Sequence, residues 1–262
     1  MYAEAIKALC NRDIEVVEFD IIDSTNAEAK RRADILSQSG ELTPHLFISK
    51  EQTAGRGRMG RSFSSRANSG IYMSLLYFTD KPLSDAVSVT VAAAAIIAEE
   101  IEKVTERSMM IKWVNDIYNE NGKVCGILVE SIPVSSSRFG VIVGIGINTG
   151  EGDFPEELRP IASSVGNLCG KEAQLISGVA ERLLAHSDTP DDRSYMQGYR
   201  KRLMLLGEKV NLLNCGEIID EGVVAGVDDD GGLLFVPQGK NKTMIIRSGE
   251  ISLRIKNKHF KF

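Results

Sequence analysis

The chain has 262 residues, 43% of them hydrophobic and 26% charged, which suits a globular protein of one large domain or a medium domain plus a small one. Its formal net charge of −5 argues against DNA or RNA as partner, because phosphate backbones call for a net basic face. Four scattered cysteines (Cys10, Cys125, Cys169, Cys215) without a CxxC pair argue against metal ribbons and disulfide frameworks and read as reduced thiols.

The first 20 residues are acidic and lack a long apolar run, so they do not read as a signal peptide. Thr25-Asn-Ala-Glu28 fits a capping box and predicts a helix to about Leu36. His45–Lys50 reads as a strand, Thr53–Ser69 as a Gly, Arg and Ser loop, and Ile71–Phe78 as a second strand. Ser84 is placed to cap a helix over 85–104, whose Val91–Ala98 stretch is apolar on every face, hence buried, and too short to span a bilayer. Met109–Val114, Val124–Val129 and Phe139–Ile147 are strand candidates, the last two apolar enough to be central. Two helices are expected over 172–186 and 191–206, the second stopped by Gly207. Beyond it, Lys209–Leu213, Gly222–Val227, Leu233–Pro237, Thr243–Arg247 and Glu250–Ile255 read as five short strands between Asp- and Gly-rich turns, the pattern of a small closed barrel. The expectation is an α/β domain over 1–206 and a β domain over 207–262, working in the cytoplasm and not in a membrane.

Three clusters carry chemistry. Gly55-Arg-Gly-Arg-Met-Gly-Arg61 contains G-x-G-x-x-G, but no helical period follows it, so a dinucleotide fold is a poor reading. Its distinguishing feature is Arg56, Arg58 and Arg61 interleaved with glycines. Close backbone approach, free N–H groups and forked guanidiniums describe an anion cradle; the bland alternative is a solvated basic loop. The second cluster is Lys112-Trp-Val-Asn115-Asp116, followed by Lys123 and Gly126-Ile-Leu-Val-Glu130. Here Asn can read an adenine edge, Asp can hold Mg²⁺ and Lys can neutralise a phosphate. Turn chemistry explains the same residues equally well. The third is Gly144-Ile-Gly-Ile-Asn148, whose glycines permit close approach; a strand end with a turn Asn fits as well.

With these motifs in order — Ser24-Thr25-Asn26, Gln52 before GRGRMGR, KWVND, GKVCGILVE and GIGIN — the chain resembles the biotin protein ligases from about residue 20 to 255. Gly249-Glu-Ile-Ser-Leu-Arg254 resembles the end of that family's small barrel. The resemblance implies an α/β (α+β) catalytic domain of the class II aminoacyl-tRNA synthetase type and an SH3-like C-terminal domain. It implies ATP-dependent attachment of biotin, through biotinyl-AMP, to a lysine of the biotin carboxyl carrier domain of acetyl-CoA carboxylase or a related carboxylase. It further implies that Ser24, Thr25, Asn26 and Gln52, with Arg56, Gly57, Arg58 and Lys123, bind biotin. Arg58, Asp116 and Lys123 would serve adenylation, with Mg²⁺ at Asp116, and Arg61, Asn115 and Asn148 would hold the nucleotide. Val114 stands where the family usually has Pro, and Ser62-Phe63 where it often has Trp. The short segment before Ser24 leads us to expect a ligase without a DNA-binding domain, with homodimerisation left open.

Overall fold

The computed structural model describes residues 2–80, 86–152, 154–214 and 216–247, together with the backbone of 251–255. Ser84, Cys215, Gly249, Glu250 and His259 lie outside the described residues. The chain opens with helix α1 (Ala3–Leu9) and strand β1 (Glu15–Ile22), two elements the motif reading did not assign. Helix α2 (Thr25–Ser39) leads to β2 (His45–Gln52) and, across the Arg/Gly loop, to β3 (Gly70–Thr79). Helix α3 (Ala86–Thr105) is followed by β4 (Met110–Lys112), β5 (Asp116–Asn119), β6 (Gly122–Pro133) and β7 (Phe139–Asn148). These strands form one seven-stranded sheet in the order β1-β2-β3-β7-β6-β5-β4, with β1 and β2 parallel and every other neighbour antiparallel.

Alternation along the strands decides what each face of this sheet holds. Ile71, Met73, Leu75 and Tyr77 of β3 and Val141, Val143, Ile145 and Ile147 of β7 share one core with α3 and with α4 (Glu172–Asp188). All eight residues from Val91 to Ala98 are buried in it, as their apolarity on every face requires. The opposite face carries Leu76 and Ile142, which pack on Ala29, Ala33 and Leu36 of α2 with Phe47. Further along this face glycines enter the rows. Register places Gly144 between Ser74 and Leu128, and in the next row Gly146 between Tyr72 and Gly126. Helix α2 covers Leu76 and Ile142, and the glycines Gly126, Gly144 and Gly146 line a hollow beyond it.

Strands β6 and β9 run longer than expected, and three further boundaries differ in ways that matter for the site and the second sheet. Ser24, not Thr25, caps α2: its hydroxyl accepts from the Ala27 N–H, while Glu28 is drawn away to Arg31 and closes no capping box. The helix expected over 191–206 is only α5 (Tyr195–Arg202); the backbone is already extended at Leu203, and Gly207 lies five residues beyond Arg202, in the connection to the next sheet. The KWVND stretch ends one strand and starts another, because Asp116 pairs back with Lys112 across a tight turn.

The remaining strands, β8 (Lys209–Asn214), β9 (Glu217–Val227), β10 (Leu233–Pro237), β11 (Met244–Ile246) and β12 (Ile251–Ile255), form an antiparallel sheet in the order β11-β10-β9-β8-β12. Among the described residues no ladder joins β11 to β12, so the closure expected of a barrel is not seen there. This sheet grips the first part of the chain at one turn. Trp113 Nε1 donates to Gly231 O at 2.9 Å, and Arg200 donates to Val227 O and pairs with Asp229. Gly231 has φ +86°, and a Cβ there would stand 2.7 Å from Val91 Cγ2, so the turn can seat against α3 only as glycine.

Candidate active site

The hollow is a cavity of about 610 Å³, the size of a small-molecule site. Its polar end is built by the start of α2. Ser24, Thr25 and Asn26 are all buried and line the cavity with Gln52, so the positive end of the helix dipole faces the hollow. Gln52 Oε1 accepts from the Thr25 N–H at 2.8 Å and lies 3.1 Å from Thr25 Oγ1, while its Nε2 donates to Ser65 Oγ at 2.8 Å. Asn26 reaches across to the sheet: its Nδ2 donates to Glu130 and its Oδ1 lies 2.5 Å from Ser74 Oγ. A Cβ on Gly144 would sit 2.0 Å from that Oδ1, so glycine there makes room for the amide.

The Arg/Gly loop forms the rim. It is closed rather than loose: Gly57 N–H donates to Arg61 O at 2.7 Å, Phe63 N–H to Gly55 O at 2.9 Å, and Arg56 bridges Ser62. Phe63 folds in from the loop onto Gly146 and Gly126, edge-on to Tyr72 with ring centroids 6.4 Å apart. The glycines singled out for close approach by a ligand thus receive side chains of the protein, Asn26 and Phe63.

Arg58 turns inward. Its Nη1 donates to Asn115 Oδ1 at 2.6 Å, and Asn115 Nδ2 donates to Ile127 O. Its Nη2 is buried with no hydrogen-bond partner. Burial pushes the guanidinium pKa down from its usual value; Asp116 opposes this and Arg61 adds to it. A guanidinium keeps its charge nonetheless, so the free Nη2 is a buried cationic donor awaiting an anion. Lys123 Nζ stands 2.7 Å from Asp116 Oδ1. That oxygen is buried and has no hydrogen bond of good geometry, so the pair is Coulombic rather than aligned.

Of the residues expected in the site, Ser24, Thr25, Asn26, Gln52, Arg56, Gly57, Arg58, Arg61, Asn115, Asp116 and Lys123 line this cavity together. Asn148 does not. Its Nδ2 donates to the carbonyls of Lys123 and Ser163, where it braces the Lys123 backbone, and it stands outside the cavity wall. The motif reading missed Ser65, Ser74 and Glu130 as polar partners, although a lone serine inside the apolar run Ile71–Phe78 was a visible signal.

The model of the biotin/lipoate A/B protein ligase family matches residues 18–148, half of the chain and the half that holds all of this cavity's lining but Pro160 and Ile161. The chain belongs to that family. Among its relatives, the bifunctional ligase/repressor BirA of Bacillus spizizenii is 34% identical over 229 residues, covering 84% of this chain and 68% of that protein. The biotin–[acetyl-CoA-carboxylase] ligase of Mycobacterium tuberculosis is 28% identical over 238 residues, covering 87% of this chain and 85% of that protein. The structure of the biotin protein ligase from Aquifex aeolicus, in complex with biotin and ATP, superposes with a TM-score of 0.73 at 26% identity, covering 92% of this chain and 99% of that one. The fold shared with these ligases is the mixed α/β architecture expected from the sequence. No helix among the described residues is long and apolar enough to cross a membrane.

Proposed function

We propose that this chain is the biotin-attaching member of its family: it activates biotin with ATP and transfers the biotinyl group to a lysine of a carboxylase carrier domain. The observation that carries this reading is one cavity with two unlike ends. A neutral hydrogen-bonding floor (Ser24, Thr25, Asn26, Gln52), backed by the buried Ser74, suits a ureido ring, and a cationic end (Arg58, Lys123) with Asp116 suits phosphates. A lipoate or octanoate ligase of the same family would want an apolar floor, and the buried hydroxyls and amides here speak against it.

In the first step a biotin carboxylate oxygen attacks the α-phosphorus, the bond to the β,γ-phosphates breaks and pyrophosphate leaves. Charge grows on phosphoryl oxygens, and Arg58 Nη2 and Lys123 Nζ are the cavity's donors for it. Asp116, with its buried Oδ1 lacking an aligned donor, fits a Mg²⁺ site. No cluster of three acidic, His or Cys ligands exists among the described residues, so a bound ion would take its other ligands from phosphates and water and would supply charge neutralisation there. In the second step the acceptor amine attacks the acyl carbon, the anhydride C–O bond breaks and AMP leaves. Arg56, on the rim, is left for biotin and Arg61 for the nucleotide, and Asn115 holds Arg58 in place. We place the catalytic unit in residues 1–206 and the smaller domain in 207–262, in a cytoplasmic protein that, at net charge −5, needs no nucleic acid. Biotin-dependent exchange of pyrophosphate into ATP tests the first step. A protein that binds biotin yet exchanges no pyrophosphate would be a sensor, not a ligase.

A further inference from the structure

The polar floor is one continuous line of contacts. Lys30 Nζ reaches Glu130 Oε1 at 2.6 Å, and Glu130 Oε2 accepts from Asn26 Nδ2 at 2.9 Å. Asn26 Oδ1 meets Ser74 Oγ, which is 2.7 Å from Thr25 Oγ1, and Thr25 meets Gln52, which meets Ser65. Ser65 Oγ ends the line at the Phe63 carbonyl, 3.1 Å away.

The sense of both amides follows from groups whose roles are fixed. A carboxylate only accepts, so Asn26 must turn its NH₂ to Glu130 and its oxygen to Ser74. Ser74 has a single hydroxyl hydrogen, and Asn26 Oδ1, which cannot donate, takes it. Thr25 Oγ1 therefore receives nothing from Ser74 and keeps its lone pairs, while its own hydrogen goes to Ser74 or to Gln52. At the far end the Thr25 backbone N–H fixes Gln52 in the same way: oxygen toward Thr25, NH₂ toward Ser65. The two amides are locked from opposite ends, and Thr25 lies between them as a donor whose own lone pairs stay free.

We propose that Glu130, held by Lys30, is a positioning residue for the substrate's ureido ring: it fixes the sense of the Asn26 amide and so leaves the Thr25 hydroxyl oxygen free to accept a ligand N–H. This deepens the biotin reading and rests on it. Glu130→Gln keeps the shape but reverses the logic. Lys30 claims the new amide's oxygen, its NH₂ faces Asn26, and Asn26 flips. Ser74 then accepts from Asn26 and donates to Thr25 Oγ1, whose hydrogen is forced onto Gln52. One lone pair of Thr25 is lost to the protein, and the floor offers less to an N–H donor.

The test is a double-mutant cycle read by calorimetric titration with biotin and, separately, with ATP. Glu130→Gln should weaken biotin binding about tenfold, the worth of one hydrogen bond of roughly 1.4 kcal/mol, and leave ATP binding within about twofold. In a Ser74→Ala background, which cuts the line between Asn26 and Thr25, the same substitution should change biotin affinity by less than about twofold. Should Ser74→Ala fail to fold, Thr25→Val cuts the line one link further on and should silence Glu130→Gln equally. Losses that multiply in the cycle, or equal losses for biotin and ATP, overturn the proposal, because Glu130 would then act independently of the line or as a general support. Wild-type protein that binds no biotin would overturn the biotin reading and this proposal with it; biotin binding with multiplicative losses removes the proposal alone.

Discussion

Lys123→Ala separates catalysis from architecture, because the structure holds the Lys123 backbone independently of its side chain. Its N–H donates to Ile161 O at 2.9 Å, and its carbonyl accepts from the Ser163 N–H at 2.8 Å and from Asn148 Nδ2. Removing the side chain therefore leaves the turn in place. What goes is the ammonium 2.7 Å from Asp116, in a pair whose side chains remain 28% and 24% exposed. A pair this wet contributes only about 1 kcal/mol to stability. Against phosphate charge growing in the transition state, one well-placed cationic donor is worth about 10²–10³ in rate, roughly 3–4 kcal/mol. The second effect is much the larger and falls on a different observable. Single-turnover biotinyl-AMP formation should drop by that factor while biotin affinity changes far less. Lys123→Arg should rescue it incompletely, since a planar fork does not replace a compact ammonium. A near-wild-type rate, or full recovery in the Lys123→Ala/Asp116→Asn double variant, would refute the reasoning and reduce Lys123 to a partner of Asp116.

Gly144→Ala drives a Cβ into the Asn26 amide; biotin Kd should rise at least about tenfold with ATP little affected, and overpacking should lower stability by about 1–3 kcal/mol in thermal unfolding. Gly231→Ala combines φ +86° with a clash on Val91, so the turn must lift from α3 and Trp113 loses its acceptor; calorimetry should show about 1–3 kcal/mol of destabilisation, and an unchanged Tm would deny that the second sheet is seated there. Asp23, beside Ser24, is held at about 2 chiefly by the Arg31 fork. A carboxyl depressed in the folded state stabilises above its unfolded value near 3.8 and loses that contribution as pH falls toward 2. The group is largely exposed, so the effect is small, and Asp23→Asn should remove it from an acid titration of stability between pH 4 and 2.

The motifs made the site legible because its donors and cations sit in short runs: Ser24-Thr25-Asn26, the Arg/Gly loop, and Asn115-Asp116 with Lys123 all face one cavity. Glu130 was quoted as the end of a strand motif, yet its pairing with Lys30 joins residues 100 apart, and no spacing rule reports that. Asn148 closes a motif and still points elsewhere, because its amide donates to the part-buried carbonyls of Lys123 and Ser163. The strands were legible from apolar runs, while α1 and β1 escaped because their charged and exposed residues give no clean period; β1 buries only Val16 fully. The short α5 shows the opposite error: helical composition ran on to Leu206, but Leu203 and Met204 turn to join Ile111 of β4, a tertiary pairing that overrides propensity.

The central claim is transfer of biotin, and one measurement addresses it most directly. The purified protein is incubated with Mg²⁺, ATP, an equimolar mixture of biotin, lipoate and octanoate, and an isolated biotin carboxyl carrier domain, and the carrier's intact mass is followed. The account predicts a single added biotinyl group on one lysine, dependent on ATP. A carrier that gains a lipoyl or octanoyl group instead, or nothing while the protein still forms acyl-adenylates of those acids, would contradict it.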